Sequence, residues 1–248
     1  MNPILIAHRG EPESWPENSL IGFRSVLEAG ARLLETDVQL TSDRVPVLSH
    51  DPTLLKMTGH DRVVMQTRYA DLKDLPAGQP GQFGDRFDDE RIVHLDEFAT
   101  LLAHWPDARA FVEFKPDSLQ AFGTEAVVDT VLDTLGDVLQ QCMLISFEAD
   151  ALHYAQSTSS LPVGWVLREW SEQSRAQATA LAPQYLFVNH KRLPDDAALW
   201  DGPWQWVVYT LNTVQEITAY MERGARMVET NVISKLLNDP SLRAQFCD

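Results

Sequence analysis

The chain is short of cysteine, of positive charge and of long apolar runs, and each shortage narrows what it can be. Two cysteines, Cys142 and Cys247, in 248 residues exclude a disulfide-stapled scaffold and fit a reducing compartment. Cys142 opens an extended apolar stretch and reads as a buried thiol. The 20 Lys and Arg residues are outnumbered by 36 Asp and Glu, giving a formal net charge of −16. That balance argues against a nucleic-acid partner, because phosphate backbones are gripped by clustered Lys and Arg. It also disfavours stable association with an anionic membrane. No stretch approaches the roughly 18 apolar residues that span a bilayer. The opening MNPILIAHRG carries an apolar run of only Ile4 to Ala7 with no basic flank, so it reads as a buried strand and not as a secretory leader. A cytoplasmic protein is the expectation, and its acidity serves solubility.

What remains is an ordinary globular composition, 44% hydrophobic and 23% charged, in a length suited to one domain over 1–248. Short apolar strands alternate with amphipathic helices, as in parallel α/β folds. Strands are expected near 3–8, 32–38, 109–115, 142–146, 162–167, 185–188, 205–210 and 226–229. Ile4 and Ile6 would fill the interior of the first. Helices are expected from Asn18 or Ser19, both good caps, with Leu20, Phe23 and Leu27 at helical spacing. Others are expected over 121–135 and 213–223. Eight strands with intervening helices fit a closed (β/α)8 TIM barrel better than an open sheet. Residues 51–94 interrupt the alternation. They contain Gly59, Pro76, Gly78, Pro80, Gly81 and Gly84, with few apolar residues in period. They read as an insertion after the second strand, either covering the barrel mouth or forming an ordinary long loop.

The chemistry concentrates in four segments: IAHRG (His8, Arg9, Gly10), PENS (Pro16 to Ser19), ETDVQLTSDRVPVLSHD (Glu35 to Asp51) and FVEFK (Phe111 to Lys115). Residues i and i+2 of a strand share a face. Glu35 with Asp37, and Glu113 with Lys115, therefore stand side by side, while Leu34, Val38, Val112 and Phe114 face a helix layer. Charged groups at strand ends suit a metal or phosphate site at the C-terminal mouth of a parallel barrel.

The ordered combination of HRG, PEN, E-x-D, HD and E-x-K closely resembles the glycerophosphodiester phosphodiesterases, hydrolases built on a (β/α)8 barrel. The later stretches ISFEADAL, FVNHK and VVYTLN are similar to its cytosolic bacterial members, and the resemblance covers nearly the whole chain. It implies metal-dependent hydrolysis of a small-molecule glycerophosphodiester to glycerol 3-phosphate and an alcohol. Histidines exchange protons near neutral pH, and the reaction needs one base and one acid. By resemblance His8 activates the nucleophile and His50 protonates the leaving group. Glu35, Asp37 and Glu113 would repel one another without a cation, and carboxylate oxygens suit Mg²⁺ or Ca²⁺. The resemblance implies one such divalent ion. Arg9 and Lys115 are candidate phosphate ligands or plain ion-pair partners. Glu17 is a supporting residue that orients Arg9 or a histidine, and Asn18 is a helix cap. Gly10 permits either close ligand approach or a simple turn.

Ser146, Asn189 and Tyr209 are expected to line the pocket, and Trp204 and Trp206 to pack. The chain departs from the family at the end of its last strand, where MVETNVI has Asn231 in place of an acid, with Glu229 nearby. That departure puts the last loop's role in doubt. Two other readings compete. One is a lysophospholipase D, which needs an apolar channel at the mouth, and 51–94 shows no strong apolar patch. The other is a non-catalytic phosphate-ester binding protein, which would have lost a histidine or a ligand.

Overall fold

The computed structural model describes residues 3–195 and 197–244. Cys247 and the chain ends lie outside the described residues. Among those described, eight parallel strands close into a barrel: β1 (Ile4–His8), β2 (Leu33–Leu40), β4 (Arg109–Phe114), β5 (Cys142–Ser146), β6 (Val163–Val166), β7 (Tyr185–Asn189), β8 (Gln205–Tyr209) and β9 (Met227–Thr230). Closure comes from β1, which pairs with β2 through His8↔Glu35 and with β9 through Ile6↔Glu229. The expected (β/α)8 barrel is therefore present, and every expected strand coincides with one of these to within a few residues. The extended run before His50 adds a short β3 (Pro46–Leu48), antiparallel to β2. No helix of the described residues is long and apolar enough to cross a membrane.

The period-two alternation divides the core in two. Ile6, Phe111, Met143, Ile145, Val166, Phe187, Val207 and Met227 fill the barrel interior. Leu34, Val38, Val112 and Phe114 point outward into the layer shared with the helices, where burial of such side chains is worth about 1.5–3 kcal/mol each. Gly164 keeps the interior close-packed, because a Cβ there would lie 2.7 Å from the Phe187 ring and 2.9 Å from Ile145. Ile4 departs from expectation. It begins β1 at the N-terminal rim and is 43% exposed, since the barrel's first full layer starts at Ile6.

Among the helices, Leu20–Glu28 is capped by Ser19, whose Oγ accepts from the Gly22 amide at 3.2 Å. Gly10 (φ 85°) turns the chain beneath this helix, and a Cβ there would sit 3.3 Å from the Gly22 backbone, so the turn reading holds. The expected 121–135 helix is two, Pro116–Phe122 and Thr124–Leu135, broken at Gly123. The expected 213–223 helix is Val214–Glu222, opened by a capping box between Thr213 and Glu216.

Residues 51–94 are more ordered than their sequence suggests. Short helices at Leu55–Thr58, Tyr69–Leu72 and Pro80–Phe83 surround a small core of Val47, Leu54, Met57, Val64, Leu72, Ala77 and Ile92. The unit is fastened to the loop after β1. Gln79 Oε1 accepts from the Glu17 amide at 2.9 Å, and Lys56 Nζ lies 2.7 Å from Glu17 Oε2. Trp204 and Trp206 belong to a packed tryptophan cluster on the outer layer, where Trp206 Nε1 donates to Trp200 O at 2.9 Å.

Candidate active site

Because β1, β2, β4 and β9 each carry an ionisable inward residue at the C-terminal end, the barrel mouth collects most of the molecule's buried ionisable groups. Glu35, Asp37 and Glu113 converge so that one oxygen of each lies within 4.8 Å of the others. Lys115 Nζ stands 2.8 Å from Glu113 Oε1 and 3.1 Å from Asp37 Oδ1. Arg9 has φ 51°, which turns its side chain back over the mouth. Its amide donates to Glu35 Oε2 at 3.1 Å, its Nε lies 3.0 Å from Asp37 Oδ2, and its Nη1 lies 3.3 Å from Glu17 Oε2. Glu17 thus contacts Arg9 and neither histidine.

Asn18 is not the helix cap. It adopts φ 57° and is fully buried. Its Nδ2 donates to Asp37 Oδ2 at 3.0 Å, and its Oδ1 accepts from Thr36 Oγ1 at 2.9 Å and the Asp37 amide at 3.3 Å. The left-handed backbone aims the amide at β2, and among non-glycine residues Asn tolerates that conformation best. Asn18 therefore orients Asp37.

The histidines flank the carboxylates at different depths. His8 ends β1 with its side chain 14% exposed, and His50 sits at the rim, 33% exposed. His8 Nδ1 is 2.7 Å from Asn231 Oδ1, and its Nε2 is 4.0 Å from Glu35 Oε2. With the amide oxygen as acceptor, Nδ1 carries the proton and Nε2 offers its lone pair to the pocket. Asn231 is itself held through its backbone amide, which donates to Asn212 Oδ1 at 2.9 Å. His50 Nδ1 is 2.7 Å from Asp51 Oδ1, which orients that ring in the same way. Asn231, placed in doubt by its departure from the family, is therefore the partner of His8.

A cavity of about 60 Å³ lies between these groups. His8, Arg9, Glu35, His50, Glu113, Lys115 and Glu229 form its polar side, and Ile145, Phe147, Val166, Phe187 and Tyr209 its apolar wall. Larger clefts lie on the outer surface, one beside Thr213 and Thr218, but they hold none of this chemistry. Of the three residues expected to line the pocket, only Tyr209 does. Ser146 follows the inward Ile145 and therefore points outward, donating to Phe114 O at 3.0 Å and accepting from the Glu148 amide at 3.1 Å. Asn189 folds back to accept from the Lys191 amide at 3.0 Å.

The electrostatics fit a bound cation. Four buried carboxylates, Glu35, Asp37, Glu113 and Glu229, face the half-buried Arg9 and the buried Lys115. Burial, with Asp37 and Glu229 as like-charged neighbours, holds the Glu35 carboxyl well above its ordinary range. Burial also raises Glu113, against the pull of Lys115. Burial opposes ionisation of Asp37 too, but Lys115 and Arg9 overcome it and hold that carboxyl low. A compact all-oxygen set with surplus negative charge matches a hard divalent cation. His8 is lowered to about 3 by burial and by Arg9, so it is neutral at pH 7.

Glu229 is raised to about 8, by burial first and then by Glu113, which makes a stability prediction. Its proton is held more tightly in the folded than in the unfolded protein. The resulting stabilisation is fully present below about pH 4.5 and is lost as pH rises through about 8, on the order of 3–5 kcal/mol. Metal-free Glu229→Gln lacks this dependence. Wild type should therefore lose stability relative to the variant between pH 5 and 9 in denaturant titrations. Parallel curves would exclude the shift. The opposite effect of His8, which costs stability as pH falls below 6.5, is common to both proteins and cancels.

A family model described as the glycerophosphoryl diester phosphodiesterase family matches residues 8–235. The chain belongs to this family. A glycerophosphodiester phosphodiesterase of Caldanaerobacter subterraneus is 38% identical over 102 residues, 41% of each chain. A putative glycerophosphodiester phosphodiesterase of Bacillus subtilis is 28% identical over 196 residues, 76% of this chain and 77% of that one. The match to the mouse glycerophosphodiester phosphodiesterase 1 spans 49% of that relative, so several curated relatives are matched over less than half their length. Among solved structures, a putative family member from Silicibacter pomeroyi superposes with a TM-score of 0.82 at 24% identity, over 98% of this chain and 94% of that one. An Oleispira antarctica phosphodiesterase, solved with its product sn-glycerol-3-phosphate, superposes at 0.83 and 22% identity, over 98% and 97%. These superpositions show a shared barrel fold.

Proposed function

We propose that this family member hydrolyses glycerophosphodiesters to glycerol 3-phosphate and an alcohol, using His8 and His50 as its acid–base pair. The observation that carries the reading is the pair itself. Two oriented histidines, one deep and one at the rim, flank a 60 Å³ cavity that Arg9, Lys115, Glu35 and Glu113 also line. Arg9 and Lys115 pair with the phosphoryl oxygens. The Nε2 of His8, neutral and unprotonated, accepts the proton of the attacking hydroxyl, which is that of water or of the substrate's own glycerol. The anionic diester beside Arg9 weakens the cationic field on His8 and raises its basicity as it binds. The more exposed His50 donates to the leaving alkoxide as the P–O bond breaks. One divalent cation, Mg²⁺ or Ca²⁺, held by Glu35, Asp37 and Glu113, supplies Lewis-acid stabilisation of the developing phosphoryl charge.

Assay of glycerol 3-phosphate release from diesters with choline, ethanolamine and glycerol head groups tests this. Release from none of them would refute it. The substrate's size is constrained as well. The insertion is fastened beside the mouth by Lys56 and Gln79, where it would crowd an acyl chain more than a small polar head group. We expect kcat/KM at least ~10-fold higher for deacylated diesters than for lysophospholipids, a difference of only ~1.4 kcal/mol. Competition between the two below the detergent's micelle threshold measures it. A reversed preference would favour a lysophospholipase D.

A further inference from the structure

Among the buried side-chain atoms that lack a hydrogen bond, Arg9 Nε and Asp37 Oδ1 are ion-paired, and Trp204 Nε1 sits in the outer tryptophan cluster. Glu229 Oε1 is different. It has neither hydrogen bond nor ion pair among the described residues, its residue is 3% exposed, and it lines the cavity at the mouth. Strand alternation puts it there. Met227 fills the barrel interior, Val228 faces the helices, and Glu229 points inward one layer above Met227. Leaving a buried carboxyl oxygen unpaired is costly, more so if it is charged. A fold tolerates such a cost where a ligand supplies the partner.

The depth of the histidines says which part of the ligand arrives there. The departing alcohol must meet the acid at the rim, where His50 is 33% exposed. The retained glycerol then lies on the deep side, with His8 and Glu229. Resting on the reading above, we propose that Glu229 is a specificity-determining residue that hydrogen-bonds the free hydroxyls of the substrate's glycerol. Either protonation state of a carboxyl can pair with a hydroxyl, which both donates and accepts. An esterified or missing hydroxyl leaves the Glu229 oxygen unpaired. The site therefore selects diesters whose glycerol is fully deacylated by the chemistry of one oxygen.

The test compares two synthetic diesters that share a nitrophenyl leaving group. One carries glycerol and the other propane-1,2-diol joined through its 1-hydroxyl, which keeps the 2-hydroxyl for either route of attack and lacks only the 3-hydroxyl. In wild type the glyceryl ester should be preferred in kcat/KM by about 10–100-fold, as expected for a site built to bind a hydroxyl. In Glu229→Met that ratio should fall by about the same factor, with Glu229→Gln intermediate. Because the carboxyl oxygen has no protein partner, the Tm of Glu229→Met at pH 7 should be unchanged or raised by about 2–4 °C. Equal losses on both esters, or a fall in Tm, would overturn the assignment and leave the proposed activity standing. Wild-type protein that hydrolyses neither ester would overturn both.

Discussion

Replacing His8 or His50 by Ala is expected to lower kcat by roughly 10²–10⁴-fold, the usual worth of positioned acid–base catalysis. Folding should be little affected. Each side chain stands at the end of its strand or run, and each makes a single side-chain hydrogen bond, to Asn231 or Asp51. A diester with a nitrophenyl leaving group separates the two roles, because its departing oxygen needs no proton. That ester should restore most of the activity of His50→Ala and little of that of His8→Ala. The depths agree with this assignment, since the acid must reach an alcohol that leaves toward solvent. Rescue of His8→Ala alone would reverse the roles. Equal rescue of both would mean that neither is dedicated to the leaving group. Steady-state assays with the natural and the nitrophenyl diester suffice.

Removing the divalent cation by exhaustive chelation is expected to abolish turnover, and readdition of Mg²⁺ or Ca²⁺ to restore it. Glu35→Ala, Asp37→Ala and Glu113→Ala should each cost at least ~10²-fold in kcat/KM, comparable with the loss of one electrostatic element at an active site, and weaken ion binding in titration calorimetry. The metal-free stabilities should diverge in sign. Glu35 is buried among like charges that push its carboxyl up, so Glu35→Ala relieves repulsion and should leave the apoprotein as stable or more so. Asp37 is the carboxylate against which Lys115 and Arg9 pack, at 3.1 and 3.0 Å. Its loss removes one partner from each, leaving Lys115 with Glu113 and Arg9 with Glu17, and about 1–3 kcal/mol of destabilisation follows. Activity that survives chelation would remove the ion from the reaction. An Asp37→Ala protein as stable as wild type would contradict the packing of Lys115 and Arg9 on that carboxylate.

Much of this was legible in the sequence because it depends on local periodicity. Alternation along a strand is set by backbone geometry alone. Leu34, Val38, Val112 and Phe114 could thus be assigned to the helix-facing layer, and Glu35, Asp37, Glu113 and Lys115 to the barrel interior, as the two cores show. The order of strands and helices fixed a parallel barrel for the same reason, since each element announces itself over a few residues. Ser146 obeys the same rule. Its inward neighbour Ile145 forces it outward, so the sequence held the answer.

Other features depended on closure of the barrel. His8 and Asn231 stand 223 residues apart in sequence and 2.7 Å apart in space. Only the pairing of β1 with β9 brings them together, and no pattern within either segment contains that information. The left-handed turns at Arg9 and Asn18 likewise follow from carboxylates on β2 that become neighbours once the sheet has formed. The small core of residues 51–94 joins Val47 to Ile92 through pieces too short to show a period. The unpaired oxygen of Glu229 is the clearest case. Sequence parity points it inward, but whether a partner awaits it there is decided by all the surrounding strands together.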